Sequence, residues 1–173
     1  VGGSAYLAPR VILLGPFVIA WILALRAAQV FSDRRVPRVV AATAYVLSPP
    51  AIAALAAGEV GALVVFALLP GLVAGMVTLA RPAGAPTRVW RAVSAVALLG
   101  AIAGAFEPIV LPVLLAVGIA VVLGSIAIGP FTSWHGNLAA RVGVATVGPW
   151  VLLLPWSLDL LQPDGPLLGA SGQ

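Results

Sequence analysis

The chain has no cysteine and no lysine, and 173 residues contain a single histidine. Without cysteine there is no disulfide, no thiol nucleophile and no thiolate-ligated metal, and without lysine there is no Schiff-base chemistry. One imidazole is too few for a histidine metal centre, which gathers two or more ligands in space. Charge is scarce too. Charged residues make up 8% and hydrophobic residues 62%, against about 25% and 45–50% in soluble domains. A soluble core cannot absorb that excess, and 173 residues accommodate one helical bundle but not a bundle plus a soluble catalytic domain. No Walker-type loop, Gly-x-Gly-x-x-Gly fingerprint, His-Glu-x-x-His or Gly-x-Ser-x-Gly pattern occurs, so nucleotide-dependent chemistry is not expected within the segment.

What is present is apolar sequence in blocks. About six stretches approach the roughly 20 apolar residues that one helix needs to cross a bilayer; they cover 11–30, 39–57, 62–80, 89–105, 109–128 and 142–161. The expected fold is all-α, one polytopic integral membrane helical bundle over residues 1–173, with 1–9 as a loop or the end of an earlier helix. The chain begins at Val1 rather than Met, with no basic n-region of signal-peptide type. It therefore reads as a fragment of a larger protein, accompanied by the rest of a longer chain or by membrane partners.

The charges between the blocks alternate in sign. Arg34, Arg35 and Arg38 follow the first stretch, Arg81, Arg88 and Arg91 the third, and Arg141 the fifth; Glu59 follows the second, Glu107 the fourth, and Asp159 and Asp164 the sixth. With residues 1–10 placed opposite the basic loops, Arg10 is the only arginine of nine on the acidic side and Asp33 the only acid of five on the basic side. The positive-inside rule then puts the basic loops in the cytoplasm of a multi-pass protein of the cell inner (plasma) membrane. Anionic lipid headgroups are the expected partners of Arg34, Arg35, Arg38, Arg81, Arg88 and Arg91. Nucleic acid is not expected despite the formal net charge of +4, because the basic residues sit in short loops flanking apolar spans.

Breaks and turns supply the candidate site. Ser48-Pro49-Pro50 interrupts the second stretch; two prolines remove two amide donors and force the preceding residue out of the α region, so a kink or break is predicted. Non-helical backbone at membrane depth is tolerated where it is buried in protein or lines a wet cavity. Ser48, Pro49 and Pro50, together with Glu59, are accordingly read as lining a substrate cavity, as discontinuous helices do in membrane substrate sites; the competing reading is a kink packed on a neighbour. Glu59, Glu107 and Asp159 are weak catalytic candidates. A carboxylate at a span end can be a general base, bind a divalent cation, or be a solvated turn acid, and the flanking Gly58, Gly61 and Pro108 make the last the default.

Other features read as packing or interface. Gly71-xxx-Gly75 and Gly100-xxx-Gly104 each put two glycines on one helix face, letting backbones approach closely. Residues 89–105 and 109–128 are expected to form a helical hairpin around Phe106-Glu107-Pro108. The stretch 129–141, with Thr132, Ser133, Trp134, His135 and Asn137, suits a connection in the headgroup zone, and Trp90, Trp134 and Trp156 an aromatic belt.

The order of these pieces carries a resemblance. Residues 41–70, with Tyr45-Val46-Leu47-Ser48-Pro49-Pro50, Gly58-Glu59-Val60-Gly61 and Ala67-Leu68-Leu69-Pro70, resemble the transmembrane region of long actinobacterial membrane glycosyltransferases. The closing Leu152-Leu153-Leu154-Pro155-Trp156-Ser157-Leu158-Asp159-Leu160-Leu161 looks like a segment of the same group. These are glycosyltransferase family 2 proteins with a cytoplasmic catalytic domain followed by many helices and, more distantly, arabinofuranosyltransferases of the GT-C class. The resemblance implies a role in cell-envelope polysaccharide assembly, handling a polyprenyl-linked sugar or glycan, with catalytic residues outside this segment. The Asp-x-Asp motif of sugar-nucleotide domains is absent; no cofactor is evident, and a divalent cation would enter only through a domain beyond this segment. Related arabinofuranosyltransferases carry an arginine near the place of Glu59. The alternatives are a transporter or permease subunit, gated by the broken second helix, and a non-catalytic structural or assembly membrane module.

Overall fold

The computed structural model describes residues 4–81, 85–128 and 133–154. Asp159, Asp164 and Trp156 lie outside the described residues, as does all of 155–173. Described residues form α1 (Ser4–Ala28), α2 (Arg35–Val46), α3 (Pro49–Ala57), α4 (Val60–Ala80), α5 (Pro86–Phe106), α6 (Val110–Ile128) and α7 (Ser133–Leu152). Among the described residues, four spans are long and apolar enough to cross a membrane: Arg35–Ala57, Val60–Ala80, Pro86–Phe106 and Val110–Ala127. The fold is an all-α membrane bundle, because in a bilayer a helix satisfies its own backbone donors and acceptors where an open sheet edge cannot.

The second span is broken where the prolines stand. α2 ends at Val46, Ser48 is extended (φ −68°, ψ 150°), and α3 starts with Pro49 and Pro50 in its first two positions. Those are positions where an amide donor has no intrahelical partner in any helix, so the two missing donors cost the backbone little. Ser48 N–H donates to Tyr45 O, and Ser48 O accepts from Ala51 N–H at 3.1 Å, which carries the chain across the break with its polar groups engaged. At the far end of α3, Gly58 adopts a left-handed conformation (φ 70°) that other residues disfavour. Its N–H and that of Glu59 return to Leu55 O and Ala54 O, and Glu59 becomes the N-cap of α4.

Contacts run in the spatial order α2, α1, α4, α5, α7, α6. The buried centre is built from Leu72, Met76 and Leu79 of α4, Val89, Val93 and Val96 of α5, Leu114 of α6, and Leu138, Val142 and Ala145 of α7. Both glycine pairs sit at close approaches. A Cβ on Gly71 would lie 2.8 Å from Leu99 Cδ1, and one on Gly75 would collide with Val96 Cγ2, so this pair seats α5 on α4. A Cβ on Gly100 would lie 2.8 Å from both Leu114 Cδ2 and Pro149 Cγ, and one on Gly104 2.5 Å from Leu111 Cδ2.

Three expectations need correction. The hairpin expected between 89–105 and 109–128 closes over its first turns, where Gly104 meets Leu111 and Gly100 meets Leu114; α7 also brings Pro149 against Gly100, and α6 rests mainly on α7. The last helix begins at Ser133 rather than 142, because hydropathy finds where lipid can sit whereas helix formation needs only backbone hydrogen bonding, which polar residues also support in a headgroup zone. The first helix likewise begins at Ser4, within the stretch expected to be a loop or the end of an earlier helix.

Candidate functional site

Helix alternation sorts the charges into two ends of the bundle. Glu59 and Glu107 stand at the end formed by the C-terminus of α3, the N-terminus of α4 and the α5–α6 turn, while Arg34, Arg35, Arg38, Arg81, Arg88 and Arg91 stand at the other. The first is the acidic end of the bundle and the second the basic end.

At the acidic end, the carboxylate of the α5–α6 turn reaches a glycine of α4 that follows Glu59 closely in sequence. Gly61 lies in the first turn of α4, two residues after exposed Glu59. A Cβ on Gly61 would lie 2.6 Å from Glu107 Oε1, 3.4 Å from Glu107 Cδ and 3.3 Å from Phe106 O. Glu107, half-buried, therefore lays its carboxylate on the bare backbone of α4, in the favourable field of that helix's positive end. Residue types, not only proximity, matter: carboxylate oxygens are pure hydrogen-bond acceptors suited to hydroxyl donors. Asp159 lies outside the described residues. Among the described residues no three of His, Asp and Glu gather into a metal site.

Ser48, Pro49 and Pro50 are elsewhere. Ser48 precedes α3 and Pro49 and Pro50 start it, so this helix, nine residues or about 14 Å of rise, lies between the break and Glu59. What lies beside the break is Tyr45. Its hydroxyl donates to Phe66 O at 2.7 Å, and its ring stacks on Phe66 with centroids 4.4 Å apart and planes 6° from parallel. The partner carbonyl follows from the sequence of α4. Pro70 stands inside that helix and has no N–H, so the carbonyl four residues back, Phe66 O, loses its helical donor. Tyr45 supplies the missing proton from the neighbouring helix. A cavity of about 280 Å³ lies between α1, α2 and α4, and Tyr45 and Pro70 line it; Ser48, Pro49, Pro50 and Glu59 do not.

No protein-family model, curated protein or solved structure matches the chain.

The basic end has its own construction. α1 ends at Ala28 and the chain turns through Gln29, Val30 and Phe31, leaving carbonyls that point out of the helix. Arg81, at the end of α4, donates from Nη2 to Val30 O at 2.6 Å, and Arg38, in the first turns of α2, donates from Nε to Ser32 O at 2.7 Å. Cations at a helix C-terminus are favoured by its dipole. Arg38 also stands 3.8 Å from Asp33 Oδ1, giving the one acid of this end a basic neighbour. Farther along, His135 Nε2 lies 3.1 Å from Ser125 O, joining the start of α7 to the last turns of α6, and its ring meets Trp134 edge-on.

Two threonine hydroxyls within helices turn inward on their own backbone. Thr78 Oγ1 donates to Ala74 O and Thr146 Oγ1 to Val142 O, at 2.7 and 2.9 Å, the back-bonding expected where no water competes. Tyr45, Gly61 and the arginine contacts on α1 escaped the sequence reading. The signal for Tyr45 was available: an intrahelical proline orphans a carbonyl, and a hydroxyl-bearing ring on an adjacent span can answer it.

Proposed function

We propose that this chain is the membrane region of a glycosyltransferase-like protein of cell-envelope polysaccharide assembly, whose acidic end handles a polyprenyl-linked sugar or glycan. The basic end then faces the cytoplasm of a plasma-membrane protein, in keeping with the positive-inside rule. The observation that carries the reading is the Glu107 carboxylate laid against Gly61 in the first turn of α4, the helix whose N-cap residue is Glu59. A lipid-linked sugar keeps its chain in the bilayer and presents hydroxyls at the headgroup level, where two acceptor-only side chains flank an apolar bundle. Hydrogen bonds to a charged acceptor contribute about 1.5–3 kcal/mol each. The region binds and orients; the group transfer itself belongs to residues beyond it.

The test uses the full-length protein and transfer from a radiolabelled polyprenyl-phosphate sugar. Glu107→Gln and Glu59→Gln are each expected to lower transfer about tenfold, the equivalent of about 1.4 kcal/mol. Gly61→Ala keeps every charge but drives a methyl into the Glu107 carboxylate, and is expected to lower transfer as Glu107→Gln does. Unchanged transfer in all three variants, with normal membrane insertion, would return both carboxylates to solvated turn acids.

A further inference from the structure

The cavity between α1, α2 and α4 has a direction. Its inner limit is at Tyr45 and Pro70, and Pro70 is the eleventh of the 21 residues of α4, the middle of the span. Its outer limit is at Phe31, past the end of α1. From Pro70 to the end of α4 is about 15 Å at 1.5 Å per residue, half of a hydrocarbon core about 30 Å thick. The cavity thus occupies one leaflet, that of the basic end, and its walls between these limits are small or apolar: Ala28, Ala41 and Val73.

The mouth is charged. Phe31 is 70% exposed and is flanked in sequence by Val30 and Ser32, the two residues whose carbonyls accept Arg81 and Arg38. Two guanidinium groups are therefore anchored on carbonyls two residues apart, on either side of a residue that lines the cavity. A guanidinium has five N–H donors in a planar fork; Arg81 uses one on Val30 O and Arg38 one on Ser32 O, leaving others for an anion. Arg34 and Arg35 add positive charge nearby, with Asp33 as the single acid. Arg38 lies on the same face of α2 as Ala41 and Tyr45, three and seven residues on, so charge and groove are continuous along one helix face.

We infer that this groove is a binding site for one acidic phospholipid of the basic-end leaflet, an acyl chain lying along Ala41, Tyr45 and Val73 and the phosphate held between Arg38 and Arg81. The position of the charge selects the occupant. A zwitterionic lipid fits the apolar walls equally well but brings a cationic group to a mouth carrying two fixed guanidinium groups. The site is independent of the sugar-handling reading, which concerns the opposite end of the bundle.

Native mass spectrometry of the purified full chain, titrated separately with phosphatidylglycerol, phosphatidylcholine and a polyprenyl phosphate, tests this. The first phosphatidylglycerol is expected to bind about tenfold more tightly than phosphatidylcholine. Arg81→Gln should remove that preference, Arg81→Lys should keep most of it, and Arg88→Gln, on another helix, should leave it intact. Ala41→Phe, which fills the groove without touching charge, should weaken the first binding event for phosphatidylglycerol. Equal affinities for the two phospholipids would overturn the inference, as would a preference that survives both Arg81→Gln and Ala41→Phe in folded protein. Tighter binding of polyprenyl phosphate than of phosphatidylglycerol at the same arginines would overturn the assigned occupant.

Discussion

The hydrogen bond from Tyr45 to Phe66 O gives a prediction with an internal control. Tyr45→Phe removes one oxygen and leaves the stacked ring pair in place. It also leaves Phe66 O with no donor, because the residue that would serve it in a regular helix is Pro70. Hydrogen bonds between transmembrane helices average about 0.6 kcal/mol in cycles and reach about 1–2 in model peptides. A buried acceptor left unpaired costs about 1–3 kcal/mol. The short 2.7 Å contact and the absence of an intrahelical alternative put Tyr45→Phe at about 1–2 kcal/mol of destabilisation. Pro70→Ala restores the amide, so in that background Phe66 O has its own helical donor and the hydroxyl matters little. Tyr45→Phe should then cost less than about 0.5 kcal/mol, a coupling of about 1 kcal/mol, well above the scatter of non-interacting sites. Reversible unfolding of the four proteins in bicelles, followed by steric trapping, measures the cycle. If Tyr45→Phe costs the same with Pro70 as with Ala at that position, the orphaned carbonyl is not what Tyr45 serves.

Two further tests concern packing and topology, beside those already attached to the acidic end and the lipid groove. Gly75→Ala and Gly104→Ala insert a methyl against Val96 and Leu111 respectively and should destabilise by about 1–3 kcal/mol, whereas Gly124→Ala, which meets nothing within 4 Å, should be neutral or stabilising by up to about 1 kcal/mol; equal effects at the three positions would refute the assigned seats. Because the chain has no native cysteine, single replacements at exposed Arg35 and Arg88 should be labelled by an impermeant thiol reagent from one side of the membrane, and those at Glu59 and Phe106 from the other. Labelling of all four from one side would refute the alternation of ends.

How much was legible beforehand differs by element. The break at Ser48-Pro49-Pro50 was readable because proline acts locally, through its own missing donor and the restriction on its predecessor. Both glycine pairs were recognisable as packing faces for the same reason: a missing side chain is a local fact. The last helix was displaced by nine residues because hydropathy reports the solvent a segment prefers and polar residues can still be helical. The joint grouping of Ser48 with Glu59 was a guess about distance, and α3 places a helix length between them.

By itself, then, the sequence determined that this is a membrane bundle, where its four middle spans lie to within a few residues, and where the second span must break. Those are properties of single residues and of periodicity, settled by the cost of burying charge or unpaired backbone in hydrocarbon. Only the tertiary structure decided that Tyr45 answers Pro70, that Glu107 reaches the helix start capped by Glu59, and that Arg38 and Arg81 bind the carbonyls of Ser32 and Val30 just past α1. Each is a contact between residues far apart in the chain, and its partner is chosen by which helices lie side by side. In a chain whose spans are almost uniformly apolar, that choice rests on the shapes of glycine and proline surfaces, which hydropathy does not encode.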